Sequence, residues 1–449
     1  MSPRAALRHS PWLIWAIGAG VYFFGFIHRA SLGVAGPGAV DRLGISSTQL
    51  GSFIMVQLGL YAVMQVPAGM AIDRWGARRV LLAATLAMGT AQTMFAFAQS
   101  YPLALLARGL LGIGDAAVFI AVLRLAATYF PRRQYAYLTT LTGLAGMLGN
   151  LAATVPLVLA LQNWGWTTTF LTSGAISLAY ALLLLRPAVR RGAEPAAHRG
   201  LTPPPPPTGL AEVRAVWGRS EVRLGFWTHF ATLHPALVLS LLWAFPYLTE
   251  GLGYTSAAAA SMLSVYIGAN LVASFVVGPL AGRKPAWRTP MALGIAAACT
   301  VSLAGLVAWP GGIPPLWFVT AVFIVVAIGA PTSQIGFHLA RDYNPAGSMS
   351  TATGVVNAGG FIGAMIASVA IGVVLDARAG ESPGLLDYRW ALSTLVVTSA
   401  VSTLTMFVAL LGVRQKALKR RAGGQSVVVH LTQRPWDRLY DRLVRQRGR

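Results

Sequence analysis

Residues 50–98 read LGSFIMVQLGLYAVMQVPAGMAIDRWGARRVLLAATLAMGTAQTMFAFA. Two apolar runs, Leu50–Ala71 and Val80–Ala98, flank one short charged turn. A helix rising 1.5 Å per residue crosses about 30 Å of hydrocarbon with roughly 20 apolar residues. The stretch therefore predicts a membrane hairpin, with its charges gathered at one surface. Composition extends that reading to the whole chain. Of 449 residues, 55% are hydrophobic and 11% are charged, and mean hydropathy is +0.61. Soluble domains carry about 25% charged residues. So few charges cannot cover a water-facing surface, whereas a lipid-facing one needs none and demands helices that satisfy their own backbone.

Working outward, ten further apolar runs of similar length appear. The first half holds Trp12–Ala35, Leu50–Ala71, Val80–Ala98, Pro102–Tyr129, Tyr137–Leu161 and Thr168–Leu185. The second holds Leu224–Leu248, Ala257–Leu280, Pro290–Ala308, Pro315–Leu339, Met349–Leu375 and Trp390–Val413. The predicted class is an all-α membrane protein of twelve transmembrane helices. We read a six-helix bundle over 1–187, a basic Pro-rich linker over 188–222, a second six-helix bundle over 223–413 and a basic tail over 414–449. Pro203–Pro207 favour a stiff extended chain within the linker. In the tail, Trp436, Leu439, Tyr440, Leu443 and Val444 recur at helical spacing. They fit either an amphipathic helix on the membrane surface or a solvated tail. Met1–Ser10 is basic, but the apolar run behind it continues too long for a cleavable leader.

The net charge of +22 invites a nucleic-acid reading, which its distribution opposes. With the N-terminus inside, 29 of the 35 Lys and Arg fall in the inner loops, linker and tails. Only Arg42, Arg378 and Arg389 fall outside. That is the positive-inside bias. It predicts both termini in the cytoplasm of a cell-membrane or inner-membrane protein, and anionic lipid accounts for the basic balance without nucleic acid. The one cysteine, Cys299, has no disulfide partner and reads as a packing residue. No GxxxxGK[ST] loop, metal-ligand cluster or nucleophile elbow occurs, so neither an enzyme nor an ATP-driven pump is expected, and no cofactor. We expect a monomer.

Three arginines, Arg29, Arg108 and Arg124, fall inside spans, and of the thirteen acidic residues only Asp115 does. Intramembrane charges are costly and usually functional. Arg108 and Asp115 are seven apart, so they share one helix face about 10 Å apart along the axis. A lone carboxyl in such surroundings suits reversible protonation. A structural charge pair is the other reading. Arg29 keeps its proton and needs an anion, either Asp115 or a substrate carboxylate. His28 beside it ordinarily titrates near neutrality. Softer cavity candidates are Tyr22, the i, i+4 series Gln57, Tyr61 and Gln65, then Asn150, His229, His234, Asn270, Gln334, His338 and Asn357. Polar span residues also hold helices together.

The turn in the opening hairpin reads Gly69-x-x-x-Asp73-Arg74-x-Gly76-x-Arg78-Arg79. It resembles the loop signature of the major facilitator superfamily, at the expected place. Gly69 permits close helix approach, Gly76 a tight turn, and Asp73 beside Arg74, Arg78 and Arg79 can form a conformational lock. The second-half counterpart, Gly278-x-x-x-Gly282-Arg283-Lys284, lacks the acid. Arg108-x-x-x-Gly112-x-Gly114 resembles the superfamily's second signature. Thr140-x-Thr142-Gly143 with Gly149, and Thr351-x-Thr353-Gly354 with Gly360, echo each other in spans five and eleven, as parallel six-span repeats would.

Residues 22–131 resemble the narrower anion:cation symporter family, which includes sugar-acid, sialic-acid and vesicular glutamate transporters. The likeness rests on Arg29-Ala-Ser-Leu-Gly-Val-Ala35, Gln65-Val-Pro-Ala-Gly69, Gly76-Ala-Arg-Arg79, and a fourth span with Arg108, Asp115, Phe119, Arg124 and Tyr-Phe-Pro131. It implies that Arg29 contacts a substrate carboxylate and that Asp115 couples protons. Two departures stand out. His28 replaces the family's usual Asp, so one intramembrane acid is missing, and Asp115 replaces a Glu. The expectation is alternating-access symport of a small organic anion, driven by a proton gradient. The alternative is a proton-antiporting exporter of drugs or metabolites. Against it, the glycines of span five lead only to an isolated Pro156 rather than the antiporters' glycine-proline signature.

Overall fold

A computed structural model describes residues 11–45, 47–153, 155–185, 209–378 and 383–422. They are helical, with no strand among them. In chain order the helices are α1 (Pro11–Leu43), α2 (Ser47–Trp75), α3 (Ala77–Phe97), α4 (Tyr101–Tyr129), α5 (Arg132–Ala152), α6 (Val155–Leu185) and α7 (Leu210–Trp217). Then follow α8 (Ser220–Val238), α9 (Ser256–Arg283), α10 (Arg288–Val307), α11 (Leu316–Ser333), α12 (Ile335–Tyr343), α13 (Met349–Arg378) and α14 (Leu385–Ala422).

Ten helices among the described residues are long and apolar enough to cross a membrane, by length and composition. The two expected spans not among them are the fifth and the seventh, and proline accounts for both. Pro156 has no N–H and its ring meets the preceding turn, so α5 stops at Ala152 and the chain resumes as α6. Gly165, at φ +72°, then makes the turn between the expected fifth and sixth spans. The seventh span begins as α8 and continues through two π-turns, Leu239–Trp243 and Tyr247–Gly251. Pro235 and Pro246 lie within this stretch. A π-turn shifts the backbone ladder by one residue. There Tyr266 Oη donates to the Ala236 carbonyl at 3.0 Å.

The tenth span is also divided, into α11 and α12, just after Pro331. Pro331 cannot donate to Ala327 O, its ordinary i−4 acceptor. Asn270 Nδ2 donates to that oxygen instead, at 3.1 Å. At the break itself, His229 Nδ1 donates to Ser333 O at 3.1 Å.

The described chain forms two compact units. The first holds residues up to Phe226 together with Gly336–Ile362. Its centre is α4, buried over 78% of its apolar window where the other spans reach 22–56%. Packed by α1, α2 and α3, α4 needs small residues where backbones approach. A Cβ on Gly112 would lie 2.3 Å from Gln57 O of α2. The second unit holds Trp227–Ile335 and the chain from Gly363. Its core gathers Tyr247, Tyr266, Phe323 and Tyr388, with Cys299 buried among them. The Cys299 thiol donates to Val325 O at 3.6 Å.

The segment read as a basic Pro-rich linker over 188–222 includes helix α7, whose Glu212 and Val216 are buried. The last helix runs past Val413 to Ala422, into the basic stretch. Pro203–Pro207, the spaced apolar residues of the tail and Met1–Ser10 lie outside the described residues.

Candidate functional site

Residue 29 lies on the inward face of α1, and its guanidinium meets the carboxylate of Asp115 on α4. Arg29 Nε and Nη2 both stand 2.7 Å from Asp115 Oδ2. The guanidinium is also held between two rings, 4.4 Å from the centroid of Phe26 and 4.7 Å from that of Tyr61. Phe26 is one helical turn before Arg29, so both project from one face of α1. Tyr61 in turn packs on Phe361 of α13, centroid to centroid 4.7 Å. Asp115 is sealed, whereas the Arg29 side chain keeps 18% of its surface exposed. The arginine, not the acid, is therefore the group open to an incoming anion. Asp115 Oδ1 has no hydrogen-bond partner and lies against Gly25, where a Cβ would come within 2.9 Å of it.

Around this pair, the i, i+4 series on α2 turns a polar stripe toward the same place. Gln65 Nε2 donates to Tyr61 O at 3.2 Å, and its Oε1 accepts from Asn357 Nδ2 at 2.5 Å. Gln57 is buried at the close crossing with Gly112. Tyr22 is buried against Phe26 and Phe119. Phe119 lies one turn beyond Asp115 on α4.

Three expected site residues stand elsewhere, each for a geometric reason. His28 is adjacent to Arg29, and adjacent helical residues point about 100° apart. Its ring turns into the first unit, with Nε2 2.7 Å from Ser177 Oγ and Nδ1 3.0 Å from Gln92 Nε2. Ser173 Oγ also stands 3.3 Å from Nδ1, so the ring is fully buried with both nitrogens partnered. Asn150 follows Gly149, which packs onto Phe23 O, and so faces the other way and is exposed at the end of α5. His229 belongs to the second unit, occupied with the break at Ser333 as described above. His234 there stands 2.7 Å from Phe230 O through Nδ1 and 3.4 Å from Ser399 Oγ through Nε2.

Arg108 shares the face of Asp115 but is paired with no carboxylate. Its Nη1 and Nη2 donate to the carbonyls of His28 and Arg29 at 3.5 and 3.4 Å, its Nε has no partner, and its guanidinium lies 5.2 Å from the Phe95 centroid. Arg29 rather than Arg108 is the partner of Asp115.

The loop signature forms a second cluster within the same unit. Gly69 of α2 lies so close to α13 that a Cβ would be 2.5 Å from Ser350 O. One turn on, Asp73 accepts hydrogen bonds from Ser350 N at 3.1 Å and Thr351 N at 2.6 Å. These N–H groups belong to the first turn of α13, which has no intrahelical partner for them and carries the positive end of the helix dipole. Arg124 Nη1 stands 3.8 Å from Asp73 Oδ1. Gly76 takes φ +84° at the start of α3, the left-handed turn its position requires. Arg78 Nε donates to Leu184 O at 2.6 Å at the end of α6, while Arg74 and Arg79 are exposed. Glu212, which no motif singled out, accepts from Thr351 Oγ1 at 2.7 Å and brings α7 onto the same helix start.

A family model described as Major Facilitator Superfamily matches residues 18–368 and 244–447. A Cupriavidus necator protein assigned provisionally to sulfoacetate transport is 30% identical over 184 residues, 41% of this chain and 42% of that one. The chain thus aligns with under half the length of that relative. An Agrobacterium vitis protein assigned provisionally to tartrate transport is 24% identical over 416 residues, 86% of this chain and 88% of its own. The crystal structure of the Escherichia coli fucose:proton symporter superposes with a TM-score of 0.67 at 15% identity, covering 89% of this chain and 99% of that one. At that identity the likeness is one of fold.

Proposed function

Because the chain belongs to the Major Facilitator Superfamily, and so is a multi-pass membrane transporter rather than an enzyme, we propose that it moves a small organic anion together with a proton by alternating access. The observation that carries this reading is the pairing of Arg29 with Asp115. A permanent cation, partly open, is held by Asp115, the one acidic residue within the spans read from the sequence. An anion can take the guanidinium only if Asp115 gives it up, and a proton on Asp115 releases it. Leaving Asp115 charged without its partner would cost about 3–5 kcal/mol in such surroundings. Proton and anion thus bind cooperatively: for the Arg29–Asp115 pair and one carboxylate, the loaded site is neutral whereas either half-loaded form carries a net charge.

Relatives assigned to sulfoacetate and tartrate support an acid as cargo. Tyr22, Tyr61, Gln65 and Asn357 line the approach to Arg29, and Gln57 and Phe26 stiffen it. Asp73 with Gly69, Gly76 and Arg78 acts as the lock on the start of α13. The placement that fits the charge bias is a cell membrane, with both termini cytoplasmic and a monomer as the working unit. The proton gradient supplies the energy, with no cofactor.

The test is transport by purified protein in liposomes under an imposed proton gradient, using tartrate, sulfoacetate and galacturonate. Gradient-driven accumulation of at least one of these acids is expected. Asp115→Asn should abolish that accumulation while sparing exchange of labelled for unlabelled anion. Equal loss of both would make Asp115 structural. Efflux of hydrophobic cations with no anion uptake would replace this reading by the antiporting exporter.

A further inference from the structure

The charges around the site do not balance. Among the described residues, the interior of the spans holds two guanidiniums near one carboxylate: Arg29 and Arg108 against Asp115. Arg124, the third, stands at Asp73. Arg108 is 1% exposed, and only two long hydrogen bonds to backbone carbonyls and the face of Phe95 compensate it. His28, whose carbonyl takes one of those bonds, is held by Ser177 and Gln92 and brings no negative charge.

We propose that the transported anion carries two negative charges, and that Arg108 sets this requirement as an electrostatic positioning residue that does not touch the substrate. The proposal rests on the proton-coupled reading above. Once Asp115 is protonated and Arg29 released, the core has two cations and no anion. One carboxylate would only restore the net positive charge that the empty site already carries; two acid groups cancel it. Arg108 lies seven residues from Asp115, about 10 Å along α4. At that range, with an effective dielectric of about 20, one unit charge changes a binding constant roughly tenfold.

The experiment measures binding of tartrate and of its monoamide, tartramate, which has nearly the same shape and one charge fewer. Binding is followed by the rise in melting temperature of the purified full-length protein. Tartrate should bind at least tenfold more tightly. Arg108→Gln should reduce the ratio at least threefold, while Arg108→Lys, which keeps the charge, should hold it near the wild-type value. The ratio in the unaltered protein tests the proposal even if Arg108→Gln fails to fold. Equal binding of the two overturns the dianion requirement, a ratio unmoved in Arg108→Gln overturns Arg108 as its source, and either leaves anion symport standing. If neither compound nor galacturonate or sulfoacetate binds, the anion reading falls with it.

Discussion

Arg29 does three things that only an arginine can do together. It places two nitrogens on one carboxylate oxygen, lies over the rings of both Phe26 and Tyr61, and keeps part of its surface open. A lysine has a single point charge and no plane to insert between rings. Arg29→Lys should therefore weaken anion binding at least tenfold in the melting assay, with little change in the melting temperature of the empty protein. Unchanged binding would remove Arg29 from the site. Gly25 matters for a different reason, since a methyl group there would press on the free oxygen of Asp115. At this scale the sequence was informative about which residues carry charge, because ionisable groups in apolar runs are few and conspicuous. About pairing it was only half informative: it offered Arg29 either Asp115 or a substrate carboxylate and could not choose between them. Arg108 and Asp115 share a face by periodicity, yet Arg29 arrives from another helix, and no one-dimensional spacing encodes that approach. At His28, adjacency to Arg29 left both a shared site and a partnered polar residue open, and the helical turn that separates the two side chains gives it partners of its own.

Among the helices, prolines decide where spans break, and polar side chains from neighbouring helices satisfy what the breaks expose. The twelve apolar runs were legible because each is long and nearly free of charge. The breaks were not, because proline shows where a donor is missing but not what replaces it. Asn270 illustrates this. As an intramembrane amide it resembled a cavity residue, but it donates to Ala327 O, the carbonyl that Pro331 cannot serve. Asn270→Leu should lower stability by on the order of 1–2 kcal/mol, the cost of a buried acceptor left without its donor. Pro331→Ala returns the backbone N–H, so the double variant should recover most of that loss. Melting temperatures of the four proteins in detergent decide the matter. Losses that simply add would show that Asn270 acts elsewhere. The short helix α7 makes the opposite point: the prolines Pro203–Pro207 suggested a stiff extended chain within the linker and nothing about Leu210–Trp217, which is helical and anchored by Glu212 on α13.

For the molecule as a whole, the question is what holds the start of α13 against α2. Both belong to the first unit, so the contact can be judged without reference to the second. Gly69 allows the backbones to approach, and Asp73 then converts approach into attachment by accepting from two N–H groups at a helix start. Glu212 adds a third bond through the Thr351 hydroxyl. Alternating access needs this attachment to be breakable, and a carboxylate bound to a helix dipole fits, being stronger than a neutral hydrogen bond yet free of covalent cost. Asp73→Asn keeps the shape and removes the charge, so it should shift the population toward the state in which this end is open. The buried Cys299 makes the measurement clean. In a Cys299→Ala background carrying Phe361→Cys, a membrane-impermeant thiol reagent applied from the loop side should label Asp73→Asn at least threefold faster. Glu212→Gln should give a smaller increase, and the two together more than either alone. If labelling is unchanged in Asp73→Asn, the cluster is a static brace, and the force that opens and closes the transport path must be sought in helices other than α2 and α13.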